Sequence, residues 1–231
     1  MAYNLLGKNF VPPDVHGKVT GKAKYAEDFR AEGMAFCRLL VSPMPHARVR
    51  NIDAKEALAM PGVFGILTAK DVPAQPGPAE QILTDEPMYV GAPILAVAAV
   101  DETTAQDAID KIKLDLEELP FTVDPLQSLY PNGPDARTDG NVIDNRLTGP
   151  PQLKKAKWTA GDFAKVEEGQ LPQGEPLLEW SYGDVDAGFK KAALVIDETF
   201  VTGTMSHHSM EPRSAMAYWE NGKCFVYGST Q

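Results

Sequence analysis

Pro93-Ile-Leu-Ala-Val-Ala-Ala-Val100 followed by Asp101-Glu-Thr-Thr-Ala-Gln-Asp-Ala-Ile-Asp-Lys-Ile112 and Lys113-Leu-Asp-Leu-Glu-Glu118 is the stretch that decides the fold. The first segment is a continuous apolar run of strand length, the signature of a strand buried on both faces. In the second, Ala105, Ala108, Ile109 and Ile112 recur at i, i+3, i+4 and i+7, which puts one wholly apolar stripe on a helix. Thr103 and Gln106 have capping-box spacing and are predicted to start it. The third segment alternates with period two, so Leu114 and Leu116 share the inner side of a half-exposed strand. Strand, amphipathic helix and strand in immediate succession predict a mixed α+β unit.

Reading towards the N-terminus extends the pattern. Val63 to Ala69 (VFGILTA) is a further predicted strand, and Asp53 with Glu56 caps a short helix that Pro61-Gly62 ends. Before it, His46 to Asp53 (HARVRNID) alternates, with Ala47, Val49 and Asn51 on one face and His46, Arg48 and Arg50 on the other. Met34 to Val41 (MAFCRLLV) is an apolar strand stopped by Ser42-Pro43-Met44-Pro45. Met88 to Val90 is predicted as a short strand after a Pro/Gly/Ala/Gln-rich loop over residues 71–86. Gly17 and Gly21 in HGKVTGKAKYAEDF enclose three residues, not the four of a phosphate-binding P-loop, and Lys22 is followed by Ala23, so a turn into a strand edge is the reading. His46 has no second ligand type nearby, which points to a surface or capping role.

Reading towards the C-terminus, periodicity fades from Pro125 to Tyr182. Asp186 is predicted to cap a short helix, and Leu194 to Val201 to form a strand. Thr204 to Gln231 reads TMSHHSMEPRSAMAYWENGKCFVYGSTQ, in which Asn221-Gly222 separates two strand-like runs, the strongest short-range hairpin signal. A lone hairpin is marginal, so a continuation beyond Gln231 is expected, with Phe225 to Gln231 poorly supported or paired with something other than this chain. His207 and His208 are adjacent, point to opposite sides of an extended chain, and cannot chelate one ion together.

Composition sets limits. At 231 residues and 43% hydrophobic content the chain can bury a core, and its net charge of -10 opposes contact with nucleic acid phosphates. It lacks an apolar run of about 18 residues, so no membrane span is expected, and the start MAYNLLGKNFVPP reads as cytoplasmic. Cys37 and Cys224 form neither a metal-site motif nor a disulfide framework, and both are predicted to be small buried apolar residues. Asp110, Asp115, Glu117 and Glu118 read as a solvated face, and no metal site is assigned.

GKVTGKAKYAEDF, SPMPHARVRNIDAKEALAMPGVFGILTAKDVP, EPMYVGAPILAVAAVDETTAQDAIDKIKLDLEELPFTVDP, and VIDETFVTGTMSHHSMEPRSAMAYW with GSTQ lie in that order. The chain resembles the N-terminal part of the molybdenum-binding, or molybdopterin-binding, large subunit of the xanthine dehydrogenase, aldehyde oxidase and carbon monoxide dehydrogenase family. The resemblance covers residues 10 to 130 and 194 to 231. It implies an α/β hammerhead domain over 15–124, a linker over 125–182, and the beginning of the molybdopterin-binding domain over 183–231. In the family the Gln of the Ser-Thr-Gln stretch sits against the molybdenum centre, so Gln231 is the implied cofactor-binding residue, its neutral amide supplying donors. Glu211 and Arg213 match a Met-Glu-Pro-Arg corner with a mostly structural role near the cofactor. The family's carboxylate base lies beyond Gln231, so no catalytic residue is assigned within the chain.

The implied cofactor is molybdenum on molybdopterin, as the cytosine dinucleotide, shared with a missing region or partner. Iron-sulfur clusters and FAD would belong to partner chains, an iron-sulfur subunit and a flavin subunit, since no ferredoxin-type Cys pattern is present. The implied activity is water-derived hydroxylation or oxidation of a carbon centre, which this chain alone does not complete. A truncated product and one half of a split subunit both fit that reading. A second hypothesis is a non-catalytic hammerhead module that docks redox partner subunits, and a third an unrelated acidic α+β binding protein.

Overall fold

A computed structural model describes residues 6–75, 80–135, 137, 140–144, 152–174, 178–198, 200, 202–203 and 205–230. In chain order the elements begin with a one-turn helix α1 (Val15–Val19), a 3-10 turn (Ala26–Asp28), and strands β1 (Phe36–Val41) and β2 (Ala47–Asp53). Helix α2 (Lys55–Leu58), strands β3 (Val63–Thr68) and β4 (Pro93–Ala99), helix α3 (Glu102–Asp110) and strand β5 (Lys113–Glu118) follow. A 3-10 turn (Pro125–Leu129), β6 (Val142–Asp144), β7 (Gln152–Lys154), α4 (Ala160–Phe163), α5 (Val185–Lys191), β8 (Ala215–Glu220) and β9 (Lys223–Gly228) complete it. The chain forms two units, one of residues 35–202 and one joining residues 1–34 to 203–231.

The larger unit is built around the stretch that opened the sequence reading. β4 is the centre of a three-stranded antiparallel sheet in the order β1-β4-β3, and β2 pairs antiparallel with β5. Ala105, Ala108 and Ile109 of α3 are buried, as the helical stripe requires. Leu95, Val97, Ala57, Ala108 and Ile109 form one buried cluster, flanked by Leu40, Ile52, Met60, Val63, Ile66 and Ile112. Gly62 ends the α2 connection with φ 87°, a left-handed conformation that suits a residue without a Cβ. A Cβ there would also lie 2.9 Å from Val100 Cγ2.

The caps differ from expectation by position. Asp101, not Thr103, caps α3 by accepting from the Thr104 N–H at 2.7 Å. Asp53 receives the Lys55 N–H at 3.3 Å but does not form a box with Glu56, because Ala54 holds the cap position of α2. Asp184, not Asp186, caps α5. At α3 and α5 an Asp just outside the first turn reaches the free amide donors better than a residue already inside it.

Other expectations are corrected. Residues 15–19 form a helical turn, not an entry to a strand edge. Residues 88–90 are not a strand; the segment 85–87 instead gives its Asp85 and Pro87 carbonyls to the Val49 and Ala47 N–H groups. β2 does not alternate cleanly, since its register against β5 shifts between Val49 and Asn51. His46 is buried, with its ring Nδ1 at 2.6 Å from the Pro120 carbonyl and Nε2 at 3.4 Å from Glu86 Oε1. Cys37 and Cys224 are both exposed. Residues 194–198 are irregular rather than a strand, while Thr199 and Val201 lie outside the described residues.

The stretch 125–166, the first part of the segment 125–182 read as a linker, holds local order made by polar groups rather than by hydrophobic period. Lys157 Nζ donates to the Ser128 and Gly133 carbonyls at 2.6 and 2.7 Å and pairs with Asp135 at 2.7 Å. The Asn141 side chain donates to the Ser128 and Ala156 carbonyls and accepts the Ala156 N–H. Tyr130, Trp158 and Phe163 pack on one another with centroids 5.2 to 5.7 Å apart.

Candidate functional site

β8 and β9 form the hairpin that Asn221-Gly222 predicts. The pairing is continuous from Ala215 opposite Gly228 to Glu220 opposite Lys223. Asn221 and Gly222 have φ of 50° and 75°, the two left-handed residues of a type I′ turn whose twist matches the strands. Every residue of β9 is exposed, and on β8 Trp219 is 75% exposed. The apolar edge expected of an incompletely covered hairpin is therefore present.

One face of the hairpin is partly covered from within the same unit. Phe29 stacks on Tyr227 with centroids 4.5 Å apart, Tyr218 stacks on Phe225 at 5.1 Å, and Tyr218 lies 6.3 Å from Tyr227. A hydrogen bond between the two phenols holds the Tyr218 hydroxyl above its usual titration range. The segment Ala26 to Phe29 precedes the hairpin by more than 180 residues, and this contact gives partial support from within the chain to a last strand that, as expected, is otherwise poorly covered, although its pairing partner is β8 of the same chain. Among the described residues that support comes from the Phe29 ring and the adjoining 3-10 turn.

The residues preceding β8 form a corner against the end of β9. Glu211 Oε1 accepts the Ala26 N–H at 3.5 Å, and Arg213 Nη2 donates to Ser209 Oγ at 3.2 Å. Glu211 and Arg213 thus reach different partners and do not close the corner as an ion pair with each other. Ser229 closes it: its Oγ accepts the Ser214 N–H at 3.0 Å and donates to the Pro212 carbonyl at 2.9 Å, while its N–H donates to the Ser214 carbonyl at 3.0 Å. The Ser214 hydroxyl beside it is buried and has no hydrogen-bond partner among the described residues. Gln231 lies outside the described residues; the chain reaches it two positions after Ser229.

His208 departs from the extended conformation assumed for the His pair, with φ 45°, a left-handed geometry costing roughly 1–2 kcal/mol for an L-residue. Both histidines are exposed. Among the described residues no group of three His, Cys, Asp or Glu side chains is arranged to hold a metal ion. The larger unit has a cleft of about 360 Å³ between β2 and the end of β3, lined by Arg50, Asn51, Thr68, Lys70, Thr84 and Asp85 among others. Its charged side chains, Arg50, Lys70 and Asp85, are exposed. Ser214, Ser229, Ala26 and Phe29 were not singled out from sequence. A Ser directly after the strand-ending Gly228 is a weak signal, and its use as a latch depends on a backbone corner fifteen residues away.

Residues 20–120 match the model of the aldehyde oxidase and xanthine dehydrogenase a/b hammerhead domain, and residues 168–231 match the molybdopterin cofactor-binding domain. The nicotinate dehydrogenase large molybdopterin subunit of Eubacterium barkeri is 31% identical over 237 residues, covering 99% of this chain and 48% of that one. The carbon monoxide dehydrogenase large chain of Afipia carboxidovorans is 30% identical over 225 residues, covering 91% of this chain and 25% of that one. An aldehyde oxidoreductase structure from Desulfovibrio gigas shares the fold over 94% of this chain and 23% of its own, with a TM-score of 0.67 at 24% identity. The chain spans about half the length of the first of these relatives and about a quarter of the second.

Hammerhead-domain sequence followed in one chain by molybdopterin cofactor-binding sequence is what this chain shares with the large subunits named above. This chain belongs to the aldehyde oxidase and xanthine dehydrogenase family. Among the described residues no helix is long and apolar enough to cross a membrane.

Proposed function

We propose that the chain contributes one side of a molybdopterin site in an enzyme that oxidises a carbon centre with oxygen taken from water. The corner of residues 210–214 and the chain end at Gln231 would face the cofactor. The observation that carries this reading is the buried, unpartnered Ser214 hydroxyl at the corner that Ser229 closes. A buried donor without a partner costs about 1–3 kcal/mol, and a ligand acceptor would remove that cost. The donor set fits the group: the Arg213 guanidinium, the Ser214 hydroxyl and the Gln231 amide all donate, as an anionic cofactor rich in phosphate and oxo oxygens requires. The nearby carboxylate, Glu211, is turned to the Ala26 amide.

When bound, molybdenum supplies a two-electron acceptor and the site at which water is activated. Within this chain, Gln231 would orient that centre through a neutral amide that does not titrate, and Arg213 would offset negative charge. Glu211 would serve as a structural tie rather than a base. The general base would come from outside residues 1–231. The cytosine dinucleotide form of the cofactor, iron-sulfur and flavin partner chains that carry electrons away, and a cytoplasmic location belong to the same proposal. So do the boundaries 15–124, 125–182 and 183–231, with the amendment that residues 26–29 support the later domain. The unit composition and the contacts of Phe29 and Ala26 support that amendment.

The exposed Trp219 and Val226 favour a second reading, in which the chain is a non-catalytic module that docks redox partner subunits. One experiment separates the two. The chain is co-produced with the remainder of a large subunit and its partner chains, and molybdenum and pterin are measured in the purified assembly. About one molybdenum and one pterin per chain is the expected result. An assembly that forms fully but contains neither would leave only the docking reading.

A further inference from the structure

The chain has two Asn-Gly pairs, Asn132-Gly133 and Asn221-Gly222. We infer that Asn221 is a self-modification site, where the folded chain converts the side-chain amide to an aspartyl or isoaspartyl group, and that the fold holds Asn132 out of the same reaction. Asparagine is labile because the backbone nitrogen of the next residue can attack its side-chain carbonyl carbon. At the hairpin turn the Gly222 nitrogen bonds to Asn221 Cγ, the Cγ–Nδ2 bond breaks, and Nδ2 leaves as ammonia with the Gly222 amide proton. Water then opens the cyclic imide at either carbonyl. One opening leaves Asp at 221, and the other routes the main chain through the side chain as isoaspartate. Neither step is a redox step. Glycine favours ring closure because it has no side chain to crowd the ring and its backbone turns freely.

The two pairs differ in how the glycine nitrogen is held. The Gly133 N–H donates to the Tyr130 carbonyl at 3.0 Å, and the Gly133 carbonyl accepts from Lys157 Nζ at 2.7 Å. The backbone there is so closely packed that a Cβ on Gly133 would fall 1.7 Å from the Gln127 carbonyl oxygen. Tyr130 is itself packed against Trp158 and Phe163. To reach the Asn132 side chain, the Gly133 nitrogen must break these ties together. Gly222 has none of them. Asn221 and Gly222 are exposed, and a Cβ on Gly222 would meet nothing within 4 Å. Among the described residues, neither the Gly222 N–H nor the Asn221 side chain has a hydrogen-bond partner. Ring closure does require the turn to leave its left-handed conformations, φ 50° and 75°. With every residue of β9 exposed, little burial opposes that local opening.

The two products act differently on the hairpin. Asp-Gly suits a type I′ turn as Asn-Gly does, so the aspartyl product keeps the register. Isoaspartate adds a main-chain carbon to a two-residue loop, which the pairing of Glu220 with Lys223 does not accommodate.

Both sites can be followed in one sample. The 231-residue chain is held at mildly alkaline pH, native and in concentrated urea, and the peptides carrying Asn132 and Asn221 are scored by mass for conversion of amide to acid, with isoaspartate detected by enzymatic methylation. In urea the two sites are expected to react within about threefold of each other, since the unfolded chain leaves only their shared chemistry. In the native chain Asn221 is expected to react at least about tenfold faster than Asn132, the effect of ordinary hydrogen bonds held at one glycine and not the other. Lys157→Met, which removes the bond to the Gly133 carbonyl, is expected to raise the Asn132 rate at least about threefold and to leave Asn221 unchanged. Equal native rates, or a faster Asn132, overturn the inference. So does an Asn221 that stays unmodified in the native chain while the unfolded chain converts, because the turn would then protect it. An Asn132 rate that K157M does not move removes the anchoring of Gly133 as the cause of the contrast, and the inference with it.

Discussion

The β1-β4-β3 sheet with α3 and the β8-β9 hairpin carry local signals of equal strength and end in opposite states. Leu95 and Val97 of β4 are fully buried under α3, whereas all six residues of β9 are exposed. The sheet pattern specifies both a strand and what covers it, because the helix that supplies the cover follows within four residues. The hairpin pattern specifies only a turn and two pairing edges. Phe29, which stacks on Tyr227 of β9, comes from the other end of the chain. A strong turn signal therefore fixes register without fixing burial, and burial must be supplied by contacts far away in sequence.

The largest effect that would break the comparison is a core truncation. Leu95→Ala is expected to destabilise the larger unit by about 2–5 kcal/mol, while Val226→Ala, removing apolar atoms from a site 64% exposed, is expected to stay within about 0.5 kcal/mol. Chemical denaturation of the two variants side by side provides the check. Comparable losses would mean that the hairpin is already packed.

A smaller effect concerns acid. Asp101 is exposed, and its carboxyl is held below the ordinary value of 3.8 chiefly by the backbone N–H of Thr104. A group whose pKa is lower in the folded state contributes stability above its unfolded value and loses it as pH falls through the folded one. The start of α3 is thus expected to lose protection at the Thr104 amide only below about pH 3.8, seen by NMR titration. Asp101→Asn keeps an acceptor without a titrating group and should abolish that pH dependence. The Asn221-Gly222 turn contains no ionisable side chain, so its pairing should be indifferent over the same range.

Much of this was legible in the residues. The periodicities at Ala105–Ile112 and Leu114–Leu116 gave α3 and β5, and Asn221-Gly222 gave the hairpin with its register. Helix starts were misjudged by two residues because Asp101 and Asp184 out-compete Thr103 and Asp186 for amides that only the folded turn displays. The order over 125–166 was missed because Lys157 and Asn141 organise it by bonding to backbone carbonyls, which leaves no hydrophobic period. His46 looked like a surface residue since nothing local announces that Pro120 and Glu86 close over it. At the candidate site the Met210–Arg213 corner was visible as a motif. The Ser229 latch and the Phe29 cover were not, because each joins residues that only the tertiary fold brings together.

The most direct test of the central claim, that the hairpin is a functional element completed by the rest of a molybdopterin site, is hydrogen exchange read twice. The amides of Phe225 to Thr230 and of β4 are measured in this chain alone and again in the assembled, cofactor-loaded enzyme. The account expects the outward hairpin amides to slow by at least about a hundredfold on assembly, as burial and closure would produce, with β4 changing little. Hairpin amides that exchange as slowly as β4 in the chain alone, or that do not slow on assembly, would contradict it.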